Sequence, residues 1–332
     1  MSPHTQAFPP ESADSEYEDL LGQWSDLESA LSVLLTRPHS VQDFSPKLRQ
    51  CDRWLQDLVA HDIDAALYLM FQLASTSSVG YSASHALVCA TLCHILAPEF
   101  GLPQSERNSL VRAAFTMNIG MTALQDLLAQ QREPLSPAQQ QTVARHPQAS
   151  VDLLDGLHIT DDLWLDVVAQ HHAPQPEVAQ LAGLSTTDRL TRILSTIDRY
   201  AAMISPRKSR AGRSATDSVR AIVGHDSELR DEVGLTLVRT VGLCPPGTFV
   251  RLDNAETAIV LRRSERANFP LVASVLDTKG EPHTTPSLYH TVRGQPRIQS
   301  ALARSAVTVQ LPHRVMVRLG LYAAQRINTI SG

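Results

Sequence analysis

Chemistry is concentrated first in Val167-Val168-Ala169-Gln170-His171-His172, an imidazole pair that closes an amphipathic run. Two neutral imidazoles side by side each offer a lone pair and make good metal ligands. The competing reading is one buried, hydrogen-bonded histidine beside a solvated one, and the pair alone leaves both open. Three further residues share this character. His85 opens an apolar helical face, where a histidine is ordinarily a satisfied core residue. His146 is followed at once by Pro147. Asp198 lies beside the apolar face of Leu190, Ile193, Leu194, Ile197 and Ala201, and a carboxylate in such company needs a donor or a metal. In Pro206-Arg207-Lys208-Ser209-Arg210 the basic residues suit a solvated loop or, through bidentate guanidinium contacts, a held phosphate.

The elements that carry these residues are mostly helical. Trp164, Leu165, Val168 and His171 share one helical face; Asp161 or Asp162 caps its start, and Pro174 and Pro176 stop it. Ser136-Pro137-Ala138-Gln139 is a strong helix start, and Pro147 predicts a kink that turns His146 away from regular packing. A helix over residues 82–100, ended by Gly101, carries His85, and a shorter one over 106–117 breaks at Asn118-Ile119-Gly120-Met121. Three amphipathic helices precede these, with acids and bases on their solvated faces, and residues 1–16 read as a disordered tail. Two more helices cover 214–224 and 227–241. After Cys244-Pro245-Pro246-Gly247 the texture turns to β, with strands at 248–252, 256–261 and 271–276 in a small antiparallel module over roughly 247–286, then a helix near 314–327. The expected organisation is a tail (1–16), a helical lead-in (17–78), a helical core (79–242) and a β-containing appendage with a final helix (243–332).

Bulk properties narrow the function. A chain of 332 residues with 43% hydrophobic and 19% charged side chains has enough apolar content for packed domains. A formal charge of −5 disfavours a nucleic-acid polymer as partner. Cys51, Cys89, Cys93 and Cys244 form no CxxC pair, so free thiols in a reducing, cytoplasmic setting are expected; no run suits a membrane span or a signal peptide.

The order His85, Met117-Asn118, His146, His171-His172 and Asp198 resembles the HD-GYP branch of HD-domain phosphohydrolases. Residues 190–203 (LTRILSTIDRYAAM) look like the segment with that family's last metal-binding aspartate. Arg207-Lys208-Ser209-Arg210 looks like its arginine loop, and 244–250 (CPPGTFV) like the opening of its β appendage. The likeness covers roughly residues 81–280. It implies an HD-domain helical bundle around two or three iron or manganese ions that hydrolyses cyclic di-GMP. By position His85, His146, His171, His172 and Asp198 match metal ligands, and Arg207 and Arg210 match phosphate-contacting residues.

The departures fall on the signature. Where the family has HDIGK this chain has Met117-Asn118-Ile119-Gly120-Met121, so a thioether replaces a histidine ligand and a neutral amide replaces the bridging aspartate. Tyr81 stands where some members place a glutamate, and the Gly-Tyr-Pro loop is missing after the histidine pair. Two functions compete. One is a non-catalytic or weakly active signalling module that binds a cyclic dinucleotide or a protein partner. The other is a metal-dependent phosphohydrolase with an altered, mononuclear site, holding iron or manganese. Kinship with the regulatory HDOD domains is a third, weaker reading, and a homodimer stays open.

Overall fold

The structure is a computed structural model that describes residues 14–73, 79–174, 180–205, 207–208, 212–223, 231–264, 266, 268–294, 296–311 and 313–330. It is mostly helical with a C-terminal five-stranded antiparallel sheet.

Helix α4 (Tyr81–Leu96) is the axis of the helical body. Every residue from Ser82 to Leu96 except His94 is buried, so this helix has no solvated face. Its small side chains (Ala, Ser, Thr, Cys) permit that, because neighbours can approach from all sides, as an all-round apolar helix requires. It ends at Leu96 rather than Phe100, since Pro98 has no N–H with which to continue the helical ladder; the chain turns and Gly101 takes φ +62°. Around α4 pack α1 (Asp14–Thr36), α2 (Phe44–His61), α3 (Ile63–Leu73), α5 (Gln104–Thr116), α6 (Thr122–Gln130), α9 (Thr186–Ile204) and α11 (Glu232–Val241). One continuous hydrophobic cluster runs from Leu20 through Leu92, Trp164 and Leu194 to Phe249 and Leu319.

The lead-in helices are not bland on their polar side. Glu28, Asp52 and Asp64 are buried, contrary to the expectation of solvated acids. Each has a partner brought by another element. Ser84 donates to Glu28, His94 meets Asp52 at 2.8 Å, and Arg262 and Arg263 hold Asp62 and Asp64. Amphipathic spacing alone cannot reveal an acid whose partner lies dozens of residues away.

Helix α7 (Pro137–Gly156) has the expected reciprocal Ser136–Gln139 cap and runs through Pro147 without a break. Helix α8 (Asp162–Gln170) is capped by Asp161, whose carboxylate accepts from the Trp164 amide. The 3-10 turn at Ile119–Met121 lies against α7, where a Cβ on Gly120 would fall 2.7 Å from the Ala149 and Ser150 backbone. Helix α10 (Ala215–Val223) leads to α11.

The sheet orders its strands β4-β3-β2-β1-β5, where β1 is Phe249–Leu252, β2 Thr257–Arg262, β3 Leu271–Leu276, β4 Pro282–His290 and β5 Ile298–Leu302. β1 to β3 match the expected strands closely. β4 and β5 extend the sheet beyond the module expected from sequence. Both are edges, half exposed and polar, and β4 holds Pro282 and Pro286, which an edge strand tolerates. One face, with Phe249, Ile259 and Ala273, joins the helical core; the other buries Val250, Val260 and Val272. Gly247, at φ +89°, lets the connection lie against α3, where a Cβ would meet the Tyr68 carbonyl at 2.8 Å. Helix α12 (His313–Ile330) follows, near the expected place.

Candidate metal centre

The side chains singled out by sequence converge on one cavity of about 500 Å³. His85 comes from α4, His146 from α7, His172 from the turn after α8, Asp198 from α9, and Arg207 from the segment beyond α9; Asn118 and Met121 also line it. His171 lies directly behind, 1% exposed. Met117 is buried too, but its side chain does not line the cavity. Arg210 lies outside the described residues, as do positions 175–179 beyond the histidine pair.

The donors form two groups. In the first, the ligating atoms of His146, His171 and His172 lie within 4.8 Å of one another. His146 Nδ1 is 2.6 Å from the Val143 carbonyl and His171 Nδ1 is 2.7 Å from the Val168 carbonyl. A carbonyl only accepts, so both Nδ1 atoms carry the proton and both Nε2 atoms hold lone pairs. Those two Nε2 atoms face each other at 3.1 Å. Pro147 explains the first of these bonds. Having no N–H, it leaves the Val143 carbonyl, four residues back, free for the imidazole. The expected effect of the proline is therefore corrected: it does not turn His146 out of the packing but supplies the acceptor that fixes it, 1% exposed. The Val168 carbonyl is one of the last of α8 and is free for the usual reason at a helix end. Ser195 donates to the His171 carbonyl and ties this turn to α9. The His172 ring, exposed at the rim, sits 4.1 Å from that of His171.

In the second group His85, Cys89 and Asp198 are all buried. His85 Nε2 is 2.8 Å from Asp198 Oδ1, which supplies the partner that a carboxylate on an apolar face requires. Cys89 Sγ is 3.7 Å from the same nitrogen, and His85 Nδ1 is buried with no hydrogen-bond partner.

Burial pushes His171 down to about 3, helped by the neighbouring His172, and it lowers His146 as well. Burial alone would raise Asp198, but the His85 hydrogen bond and charge outweigh it and hold the carboxyl at about 2. Burial raises the Cys89 thiol well above its ordinary value, so it is protonated at neutral pH.

Tyr81 has a position that sequence reasoning noticed only as a departure. Its ring stacks on His85, with centroids 5.6 Å apart and planes 13° from parallel. Arg207 lies over the same ring, 4.7 Å from its centroid, and donates to the Tyr81 hydroxyl at 2.9 Å. The adjacent Lys208 amide bonds the Ala129 carbonyl at 2.9 Å, which anchors the segment on α6. Arg207 thus faces the cavity with no carboxylate bound to it among the described contacts. Gln125, Gln131, Arg132 and Glu133 complete the polar wall. They follow no periodicity, and nothing in the sequence marked them.

This chain is similar to the cyclic di-GMP phosphodiesterase PA4108 of Pseudomonas aeruginosa, with 25% identity over 189 residues, 56% of this chain and 46% of the other. The two are distant relatives. The chain spans just under half the length of that enzyme. No protein-family model and no solved structure matches the chain. No helix among the described residues is long and apolar enough to cross a membrane.

Proposed function

We propose that this protein is a degenerate HD-GYP-type signalling module that binds a cyclic dinucleotide in the cavity and hydrolyses it slowly or not at all. The observation that carries the reading is the company kept by Asn118. It lines the cavity beside His85, His146, His172 and Asp198, at the position where the family resemblance implies a bridging aspartate. Two cations a few ångströms apart need an anion that serves both, and a neutral amide does not supply that charge. Asp198, the carboxylate beside the histidines, is committed to His85. The residues present therefore do not fit a two-metal iron or manganese centre. His146, His171 and His172, with His85 and Asp198 nearby, remain able to hold one ion, which would supply positive charge to an anionic ligand.

The similarity to a cyclic di-GMP phosphodiesterase supports the ligand class, and Arg207, held over Tyr81, supports phosphate contact from the wall. We assign Arg210 the same role by position in the motif. The organisation that goes with this reading is a lead-in over 17–78, a degenerate core over 79–242 and an appendage over 243–332. The competing reading, a mononuclear phosphohydrolase, is favoured by the fixed tautomers of His146 and His171, which present lone pairs as a working site would.

Calorimetry with cyclic di-GMP, run beside a chromatographic turnover assay, separates the two. The proposal expects stoichiometric binding with no multiple turnover. Sustained hydrolysis would overturn it in favour of the enzyme, and no nucleotide binding at all would turn attention to a protein partner.

A further inference from the structure

We infer that His146, His171 and His172 form a mononuclear, three-imidazole site that selects zinc over iron and manganese, with His85 and Asp198 outside its ligand set. The inference deepens the proposed function at the same cavity and rests on that reading for the site's role, while its geometry stands by itself.

The first argument is the pair of facing lone pairs. His146 and His171 both spend their Nδ1 protons on backbone carbonyls, at 2.6 and 2.7 Å. Their Nε2 atoms then approach to 3.1 Å with no proton between them, which is repulsive unless a cation joins them. Zinc–nitrogen bonds of about 2.0–2.1 Å place two ligands of a tetrahedron about 3.3–3.4 Å apart, a few tenths from the observed separation. Imidazoles whose far nitrogen donates to a carbonyl are the usual form of ligating histidines, because that bond sets tautomer and ring orientation. His172 adds a third nitrogen within 4.8 Å and sits at the rim, which leaves the fourth position toward the cavity.

Donor chemistry points the same way. Manganese favours carboxylate and carbonyl oxygen; imidazole suits both zinc and iron, but non-haem iron sites pair two histidines with a carboxylate, whereas three histidines with an open fourth position are a zinc arrangement. The trio contains no oxygen donor. The oxygen donor nearby, Asp198, already accepts from His85 at 2.8 Å, and this bond occupies the His85 nitrogen that would otherwise ligate. Asp198 lines the same cavity as His146 and His172, so its His85-paired carboxylate places negative charge close to the trio. Asp198 is thus a positioning and charge-balancing residue, and its loss should weaken the ion without removing a ligand.

The test is metal selection by the full chain. Metal-free protein is offered equal zinc, manganese and ferrous iron without oxygen, desalted, and its metals are counted per chain. Cobalt is loaded in parallel for its visible spectrum. We expect one zinc per chain and the intense absorption of tetrahedral cobalt. His146→Ala and the rim variant His172→Ala should both lose the stoichiometric ion; the second leaves the buried packing in place, so misfolding cannot explain its loss. Asp198→Asn should keep one ion, with affinity lowered about 10–100-fold. Two ions per chain, a preference for iron or manganese, or a loss in Asp198→Asn as complete as in His146→Ala would each overturn the inference. So would a chain that takes up no metal, since His146 and His171 would then share a proton. Cyclic di-GMP binding is measured on the same samples. Zinc without nucleotide binding would sink the proposed function alone, and nucleotide binding without zinc would sink this inference alone.

Discussion

At the cavity and just behind its wall lie two clusters of similar residues in different chemical states. In one, the His85 imidazole meets the Asp198 carboxylate at 2.8 Å and the Cys89 thiol keeps its proton, while His85 Nδ1 is left without a hydrogen-bond partner. In the other, His146 and His171 spend their Nδ1 protons on backbone carbonyls, and their Nε2 lone pairs face each other with a His172 ring nitrogen nearby. The same helix that supplies His85 also carries His94, which pairs with Asp52 at the same 2.8 Å far from the cavity, at the joint with α2. A histidine–aspartate pair largely removed from solvent is therefore a structural device in this fold at least once. Residue type does not tell a site from a strut. What does is whether the atoms that face one another are already paired as donor and acceptor.

If that contrast holds, acid should strike the two clusters differently. His171 has its pKa lowered from 6.5 to about 3 by burial. As pH falls below 6.5 the unfolded chain takes up a proton that folded His171 does not, so stability present above that pH is lost progressively down to about pH 3. A shift of this size corresponds to roughly 4–5 kcal/mol in the metal-free protein. Asp198, lowered from 3.8 to about 2, keeps its contribution until pH falls below 3.8, and then loses roughly 2 kcal/mol as pH approaches 2. Denaturant unfolding of the metal-free chain at pH 7, 6, 5 and 4 should show the histidine slope, and His171→Asn should flatten it; an unchanged slope would mean that His171 is not buried in its neutral form.

A smaller effect sharpens the comparison. Asp198→Ala strands the buried His85 and Asp52→Ala the partly buried His94, at a cost of about 2–3 and about 1–2 kcal/mol in unfolding experiments. The first should also weaken metal and nucleotide binding, and the second should leave both as they are. Equal binding losses would mean that Asp52 couples to the cavity through α4, contrary to the distinction drawn between the pairs.

The smallest effect concerns Tyr81. Tyr81→Leu removes the ring stacked on His85 and the hydroxyl that accepts from Arg207. Lost cation–π and hydrogen-bond contacts suggest about 1 kcal/mol of stability. Release of Arg207 should lower nucleotide affinity by about tenfold, the equivalent of one such contact. Tyr81→Phe keeps the ring and should restore most of the stability but not the anchoring of Arg207, so calorimetry on both variants separates stacking from hydrogen bonding.

Much of this arrangement was legible in sequence because it follows local rules. The Ser136–Gln139 cap, the Asp161 cap and the shared face of Trp164, Val168 and His171 are matters of spacing within a few residues, and all appear as expected. Four of the five candidate ligands fall together because helices with readable buried faces carry or end on them, and His172 follows as the next residue after His171. Long-range choices were not legible. Nothing local says that Asp198 selects His85, 113 residues away, or that Glu28 is buried against Ser84. Pro147 was read as a disruption, when its missing N–H supplies the carbonyl that orients His146. The edge strands β4 and β5 lack the apolar alternation that revealed β1 to β3, because an edge buries less of itself.

The contrast between the clusters is tested most directly by X-ray absorption at the metal edge of the loaded protein, which reads ligand type and any neighbouring ion together. The account predicts one zinc surrounded by three imidazoles and one light donor, with no second metal in its shell. A metal–metal vector at about 3.5–4 Å, the spacing of a two-metal centre, with carboxylate ligation from Asp198, would contradict it.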